Sequence, residues 1–334
     1  MTDRINRMKI WLDGLGYSDY VLDKASEDAS FRSYYRLQQG EHSWIVMDAP
    51  PQKEPCDAFV KVARKLTGAS LSAPQIIHQN HELGFLVMTD FGNQSYLQAL
   101  SPETVNGLYG DAMAAIMQMQ TRIDADDLPA YDEALLRSEM AMFKDWFLEK
   151  LLGIELNPNQ QQMWQVTVDV LVKNALEQPQ VFVHRDFHSR NLMKMGVDRN
   201  EQNPAILDFQ DAVKGPVTYD LVSLLRDCYI DWPEAQVEQW VLHFLDTAAV
   251  SHLEGISGSR LMRWFNLMGV QRHLKAIGIF SRLKLRDGKA QFLHDIPRTL
   301  NYLKIVGTQE MSMIGLYTMI NELSLGFRVK SLIR

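Results

Sequence analysis

The apolar positions of the chain change their period near residue 93. Before it, Arg4 to Leu15 places Ile5, Met8, Trp11, Leu12 and Leu15 at helical spacing, which predicts a short amphipathic helix. Three β-like runs follow, Tyr20 to Lys24, Phe31 to Leu37 and Trp44 to Met47, with polar breaks at 26–30 and 38–42. Helical spacing returns from Cys56 to Leu66 through Phe59, Val60, Val62, Ala63 and Leu66, behind the helix-stopping Pro50 and Pro51. Two more runs, Gln75 to Gln79 and Gly84 to Met88, complete a β-rich segment, and Thr89 to Gly92 end it.

Long helical patterns then dominate: Pro102 to Gln120, Glu133 to Leu152, Asn159 to Leu176, Thr218 to Cys228, Pro233 to Val250, Arg260 to Leu285 and Thr308 to Leu325. Only Val181 to Val183 and Ala205 to Leu207 interrupt them as short β pieces. The predicted class is α+β. A small β-rich N-terminal lobe, residues 1–93 with a hinge at its end, is followed by a helical C-terminal lobe, residues 94–334.

Composition narrows the class. Hydrophobic residues at 46% and charged ones at 22% exclude a disordered chain. The formal net charge of −7 argues against nucleic acid as a partner. Cys56 and Cys228 stand far apart with no Cys/His cluster, so neither a disulfide framework nor a zinc site is expected, and a cytoplasmic location fits. No run of 18 uncharged apolar residues exists, and the N-terminal stretch lacks a continuous apolar region, so export and membrane spanning are not expected.

The chemistry concentrates between and after the two short β pieces. There the chain reads His184, Arg185, Asp186, Phe187, His188, Ser189, Arg190, Asn191, and then, after Ala205 to Leu207, Asp208, Phe209, Gln210. Phosphoryl transfer needs a carboxylate for the acceptor's proton, an amide on a metal, and a second carboxylate on the metal that bridges the nucleotide phosphates. Asp186, Asn191 and Asp208 are the candidates, and a β-hairpin between the last two would bring both ligands onto one ion.

This combination resembles the aminoglycoside phosphotransferase and choline kinase superfamily, which shares the two-lobed protein-kinase-like fold. The resemblance rests on the loop His184 to Asn191, on Asp208 and on Tyr219 to Leu221, and the lobe order extends it over most of the chain. It implies ATP and magnesium, with Asp186 as catalytic base and Asn191 and Asp208 as metal ligands. It also implies that His184 and Asp220 support the loop. Protein kinases proper fit less well: the apolar pattern from Tyr219 to Cys228 leaves no room for an activation loop, and Pro233 in the triplet Trp232 to Glu234 suits a helix start.

Two departures bear on the nucleotide. No glycine-rich turn joins the first strands, so backbone N–H groups at Ala29 and Ser30 are the candidate phosphate contacts. The third strand also lacks the lysine that such folds use for phosphate. Arg32, Arg36 and Lys53 are candidates to replace it, Arg32 first among them. Backbone groups around Val87, Met88 and Thr89 would receive adenine.

The charge distribution bears on the acceptor. From Arg260 to the end there are 13 Lys/Arg against 4 Asp/Glu, which leaves −16 for residues 1–259. Arg272, Lys275, Arg282 and Arg286 fall on one face of the helix Arg260 to Leu285. A solvated face and a cleft wall for a neutral or anionic acceptor are both open readings. Met47 to Pro51 together with Gly269 to Phe280 resemble the anomeric kinases of N-acetylmuramate and N-acetylglucosamine in cell-wall recycling. That resemblance implies a small amino sugar as acceptor, phosphorylated at C1, with Asn266, Gln271 and Arg272 as candidate contacts. An aminoglycoside or other small-alcohol kinase, and a catalytically silent scaffold, remain open, as does the oligomeric state.

Overall fold

The computed structural model describes residues 2–27, 31–196, 202–248 and 252–333. Its residues group into two compact units, Met1–Thr104 with Arg190–Asp211, and Val105–Ser189 with Ala212–Arg334. Packing thus divides the chain elsewhere than composition does. The segment 190–211, distant in sequence from the β-rich part, joins it because Met193, Met195 and Ala205 are buried against Phe91.

In the first unit, helix α1 (Thr2–Gly14) is followed by an antiparallel sheet of β1 (Val21–Glu27), β2 (Ser33–Gln39), β3 (His42–Asp48), β4 (Ile76–Asn80) and β5 (Phe85–Thr89). The strand order is β1-β2-β3-β5-β4, with helix α2 (Asp57–Gly68) inserted between β3 and β4. Successive side chains of a strand point to opposite faces, and this alternation sorts the sheet. Tyr35, Leu37, Val46, Phe85 and Val87 pack with Met8 and Leu12 of α1. Their neighbours Tyr34, Arg36, Ile45 and Met88 line a cavity. Gly84 at the β4–β5 turn has φ +72°, and a Cβ there would meet Ala49 O at 1.9 Å, so only glycine fits. Beyond β5 come a one-turn helix α3 (Tyr96–Ala99) and a small hairpin pairing Leu192–Met193 with Ala205–Ile206.

The second unit is helical. It contains α4 (Val105–Arg122), α5 (Glu133–Met142) running on as a π-helical stretch Phe143–Leu151, α6 (Pro158–Leu176), α7 (Tyr219–Leu225), α8 (Glu234–Thr247) and α9 (Gly258–Asp287). Three further helices, α10 (Ile296–Gln309), α11 (Ile314–Glu322) and α12 (Leu325–Leu332), close it. A two-stranded ribbon pairs Gln180–Val183 with Val213–Pro216.

The centre of this unit is α9, against which α5, α6, α7, α8 and α10 all pack. Every residue from Trp264 to Lys275 is buried, so for three turns the helix has no solvent face. Gly278 permits the closest approach, since a Cβ there would lie 2.5 Å from the backbone carbon of Met142. The helix expected over 308–325 is instead the last residues of α10, a 3₁₀ turn at Met311–Met313 and α11, and most of α10 stands where no helix was expected. Pro297 stands in the first turn of α10, where proline starts a helix and does not end one. Among the described residues no helix is long and apolar enough to cross a membrane.

Candidate active site

The segment His184–Ser189 leaves the ribbon strand Gln180–Val183 and turns sharply, with Arg185 at φ +77°. A non-glycine residue rarely adopts that conformation unless its surroundings hold it there. They do so at both ends of the residue. The two oxygens of the buried Asp220 carboxylate accept the backbone N–H groups of His184 at 2.7 Å and Arg185 at 3.0 Å. The Arg185 guanidinium pairs with Glu139 of α5. His184 Nδ1 accepts the N–H of Asp186 at 3.2 Å, and Ser189 donates to Asp227 from its backbone at 2.9 Å and its hydroxyl at 2.5 Å.

Glu139 is the hub of a buried network that the sequence reading missed. It also holds Lys275 at 3.3 Å and Tyr131, whose hydroxyl donates to it. Gln271 donates to Tyr131 Oη at 2.9 Å and to Glu139 at 3.3 Å, and Lys275 donates to Tyr219 Oη at 3.1 Å. Burial would raise Glu139, but Lys275 and Arg185 outweigh it and hold the carboxyl below its usual range. One signal was available in the sequence: Glu139 falls at the core-facing spacing of Leu136, Met140 and Phe143. Asp227 offered none.

Asp186 lines a small cavity of about 90 Å³ with His188, Tyr229, Arg272, Lys275 and Phe280. Burial pushes its carboxyl up, but the surrounding Lys275, His188, Arg272 and His184 prevail and lower it. Asp220 goes the other way. Burial dominates, Asp186 adds to it, and the two backbone donors only partly compensate, leaving the group at about 7.

The basic stripe of α9 divides in two. Arg272 and Lys275 are buried at the cavity, whereas Arg286 is exposed and paired with Asp287, and Arg282 contacts Met142 Sδ at 3.9 Å. Asn266 donates to Glu310 at 3.2 Å and, like Gln271, is not among the residues lining this cavity.

Within the first unit, the hairpin brings Asn191 and Asp208 together at its open end. Asn191 Nδ2 donates to Asp208 Oδ2 at 3.1 Å, and Gln210 donates to Asp208 Oδ1 at 2.8 Å. Asp208 has φ +62°, the second non-glycine residue of the motif in left-handed backbone. Both side chains line a cavity of about 560 Å³, walled by Tyr34, Ile45, Phe59 and Met88, a size and character suited to a nucleotide base and ribose.

The donor set fits magnesium: a carboxylate and an amide oxygen are hard ligands, and magnesium takes the rest of its shell from phosphates and water. Among the described residues no group of three or more His, Cys, Asp or Glu side chains is placed to hold a metal, so the pair at Asn191 and Asp208 would serve such a partly solvated ion.

The three cations proposed to replace the missing lysine have different surroundings. Arg36 lies in the cavity wall but is committed to the segment after β5, donating to both oxygens of Asp90 at 2.6 and 2.9 Å and to Gly92 O at 3.0 Å. Lys53 sits 4.1 Å over the Phe31 ring. Arg32 is buried and paired at 2.6 Å with Glu54, just ahead of α2. Ser30 lies outside the described residues.

Comparison with known proteins agrees with this architecture. The phosphotransferase enzyme family matches residues 22–256. An N-acetylmuramate/N-acetylglucosamine kinase of Pseudomonas aeruginosa is 43% identical over 326 residues, covering 93% of this chain and 95% of the relative. Its namesake from Pseudomonas putida is 40% identical over 339 residues, covering 97% and 98%. An ADP-bound aminoglycoside phosphotransferase superposes with a TM-score of 0.58 at 14% identity, covering 88% of this chain and 96% of the other, a likeness of fold alone.

Proposed function

The chain belongs to the phosphotransferase enzyme family, and from that premise we propose that it is a cytoplasmic sugar kinase. Its reaction is transfer of the γ-phosphoryl group of ATP, with magnesium, to the anomeric C1 hydroxyl of N-acetylmuramate or N-acetylglucosamine during peptidoglycan recycling. The observation that carries the acceptor class is the pair of buried cations, Arg272 and Lys275, beside Asp186. Cations there suit a neutral or anionic sugar and oppose a polycationic antibiotic. The names of the relatives support the same choice.

In the transfer, a bond forms between the sugar's O1 and the γ-phosphorus while the bond from phosphorus to the leaving oxygen of ADP breaks. The proton of O1 passes to Asp186. Because Lys275, His188, Arg272 and His184 lower that carboxyl, it is a weak base, and an anomeric hydroxyl, more acidic than other sugar hydroxyls, demands least of it. The same cations favour negative charge developing on O1.

Asn191 and Asp208 would hold the metal, which when bound would neutralise the nucleotide phosphates. Arg32, kept in place by Glu54, would meet the phosphates where kinases use a strand lysine. Adenine lies along Ile45 and bonds the backbone at Met88. His184 and Asp220 keep the loop in register.

The test is ADP release with ATP and magnesium against N-acetylmuramate, N-acetylglucosamine, kanamycin and choline, beside Asp186→Ala. The two amino sugars should be turned over, and the variant should lose about 100-fold or more. Turnover of kanamycin or choline alone refutes the acceptor class, and activity surviving the substitution refutes the base.

A further inference from the structure

A buried charge normally sits against an opposite one, because leaving water uncompensated is costly. The buried cations of this protein obey that rule at Arg32 with Glu54, Arg185 and Lys275 with Glu139, and Arg226 with Glu234. Arg272 is the exception in geometry: 6% exposed, it feels Asp227 and Asp186 only at longer range, and among the described residues it has no carboxylate within ion-pair distance. Its hydrogen bond goes from Nη1 to Cys228 Sγ at 3.7 Å, and burial pushes that thiol up, so it is uncharged.

Arg272 stands in the wall of the Asp186 cavity, of about 90 Å³, so a carboxylate carried by a sugar whose hydroxyl reaches Asp186 meets it there. Lys275, the other cation at the wall, is already engaged by Glu139 and Tyr219. Burial and Arg272 itself push the next residue, His273, down to about 3, so it adds no charge. A guanidinium offers a planar fork of donors that matches both oxygens of a carboxylate.

Resting on the sugar-kinase reading above, we propose that Arg272 receives the carboxylate of an acidic amino sugar and sets the preference for N-acetylmuramate, through its lactyl group, over N-acetylglucosamine. The carboxylate completes an ion pair that the protein alone leaves open. The neutral sugar forgoes it.

The experiment compares kcat/KM for N-acetylmuramate, its methyl ester and N-acetylglucosamine, first with the unaltered enzyme and then with Arg272→Gln and Arg272→Lys. Taking ratios cancels any general loss of activity. Arg272→Gln should lower the ratio of acid to neutral sugar by about 10- to 100-fold, the range of one charge-assisted hydrogen bond. Arg272→Lys should recover part of it, and in the unaltered enzyme the ester should lose a similar factor against the acid. An unchanged ratio in Arg272→Gln together with an ester as good as the acid overturns the proposal. If Arg272→Gln fails to fold, the acid and ester comparison on the unaltered enzyme decides alone. Turnover of neither sugar refutes the parent reading, whereas turnover of both at one rate, insensitive to the ester, refutes only this one.

Discussion

Replacing Asp220 with asparagine keeps shape and removes one acceptor. In the native protein each carboxylate oxygen takes a separate backbone N–H, from His184 at 2.7 Å and from Arg185 at 3.0 Å. Asparagine satisfies one of them and turns an NH₂ toward the other, leaving a buried donor without a partner at a cost of about 1–3 kcal/mol. Arg185, held at φ +77°, is then free to relax and distort the loop. An opposing effect depends on pH. Burial, with Asp186 adding to it, raises Asp220 to about 7, well above an unfolded aspartate near 3.9. Its folded form therefore binds the proton more tightly. The associated stability is fully present below about pH 4 and is lost as pH rises through 7.

Asp220→Asn carries no such dependence. Relative to the native protein it should be most destabilised below about pH 4 and should recover about 3 kcal/mol between pH 5 and pH 8. Urea unfolding followed by circular dichroism at several pH values measures this, and kcat at pH 8 reports the loop separately, with a loss of about tenfold expected for a misplaced base. A destabilisation that is constant across pH, with kcat intact, would refute both the burial of this carboxylate and its hold on the loop.

Other substitutions probe the two units separately. Gly278→Ala places a methyl 2.5 Å from the Met142 backbone, so a change that stabilises an open helix should here cost about 3 kcal/mol and lower Tm by roughly 10 °C. A rise in Tm would show that α9 sits farther from Phe143–Leu151 than described. Arg36→Met strips the buried Asp90 of its cation, and KM for ATP should rise about tenfold. Burial raises Asp90, but Arg36 and the Gly92 N–H lower it further, giving a net depressed group. Its stabilisation is present above about pH 4 and is lost on acidification through the folded value. In Arg36→Met that acid loss should shrink, which unfolding midpoints at pH 3 and pH 7 would measure.

The sheet was legible because β2, β3 and β5 each place apolar residues on a helix-packed face and mixed residues on a cavity face, a period that sequence displays directly. Asn191 and Asp208 were legible as a pair because the hairpin between them needs few residues and strong turn signals. The two-residue strands of that hairpin were too short to carry a period, and the break at 310–313 was hidden by apolar residues on both sides. In α9 the basic stripe was visible but its fate was not. Arg272 and Lys275 turn inward and Arg286 outward, a distinction set by which helices cover each turn and absent from local sequence. The hub at Glu139 and the clasp at Asp227 depend on contacts across tens to more than a hundred residues, where local pattern has no reach.

A helix without a solvent face also governs how its unit comes into being. Because α5, α6, α7, α8 and α10 each rest on α9, no subset of them encloses a core before the chain has reached Asp287. During synthesis the earlier helices must wait, their apolar faces uncovered, until that central rod emerges. With its packing centred on one helix, the helical unit is expected to fold as a single cooperative block.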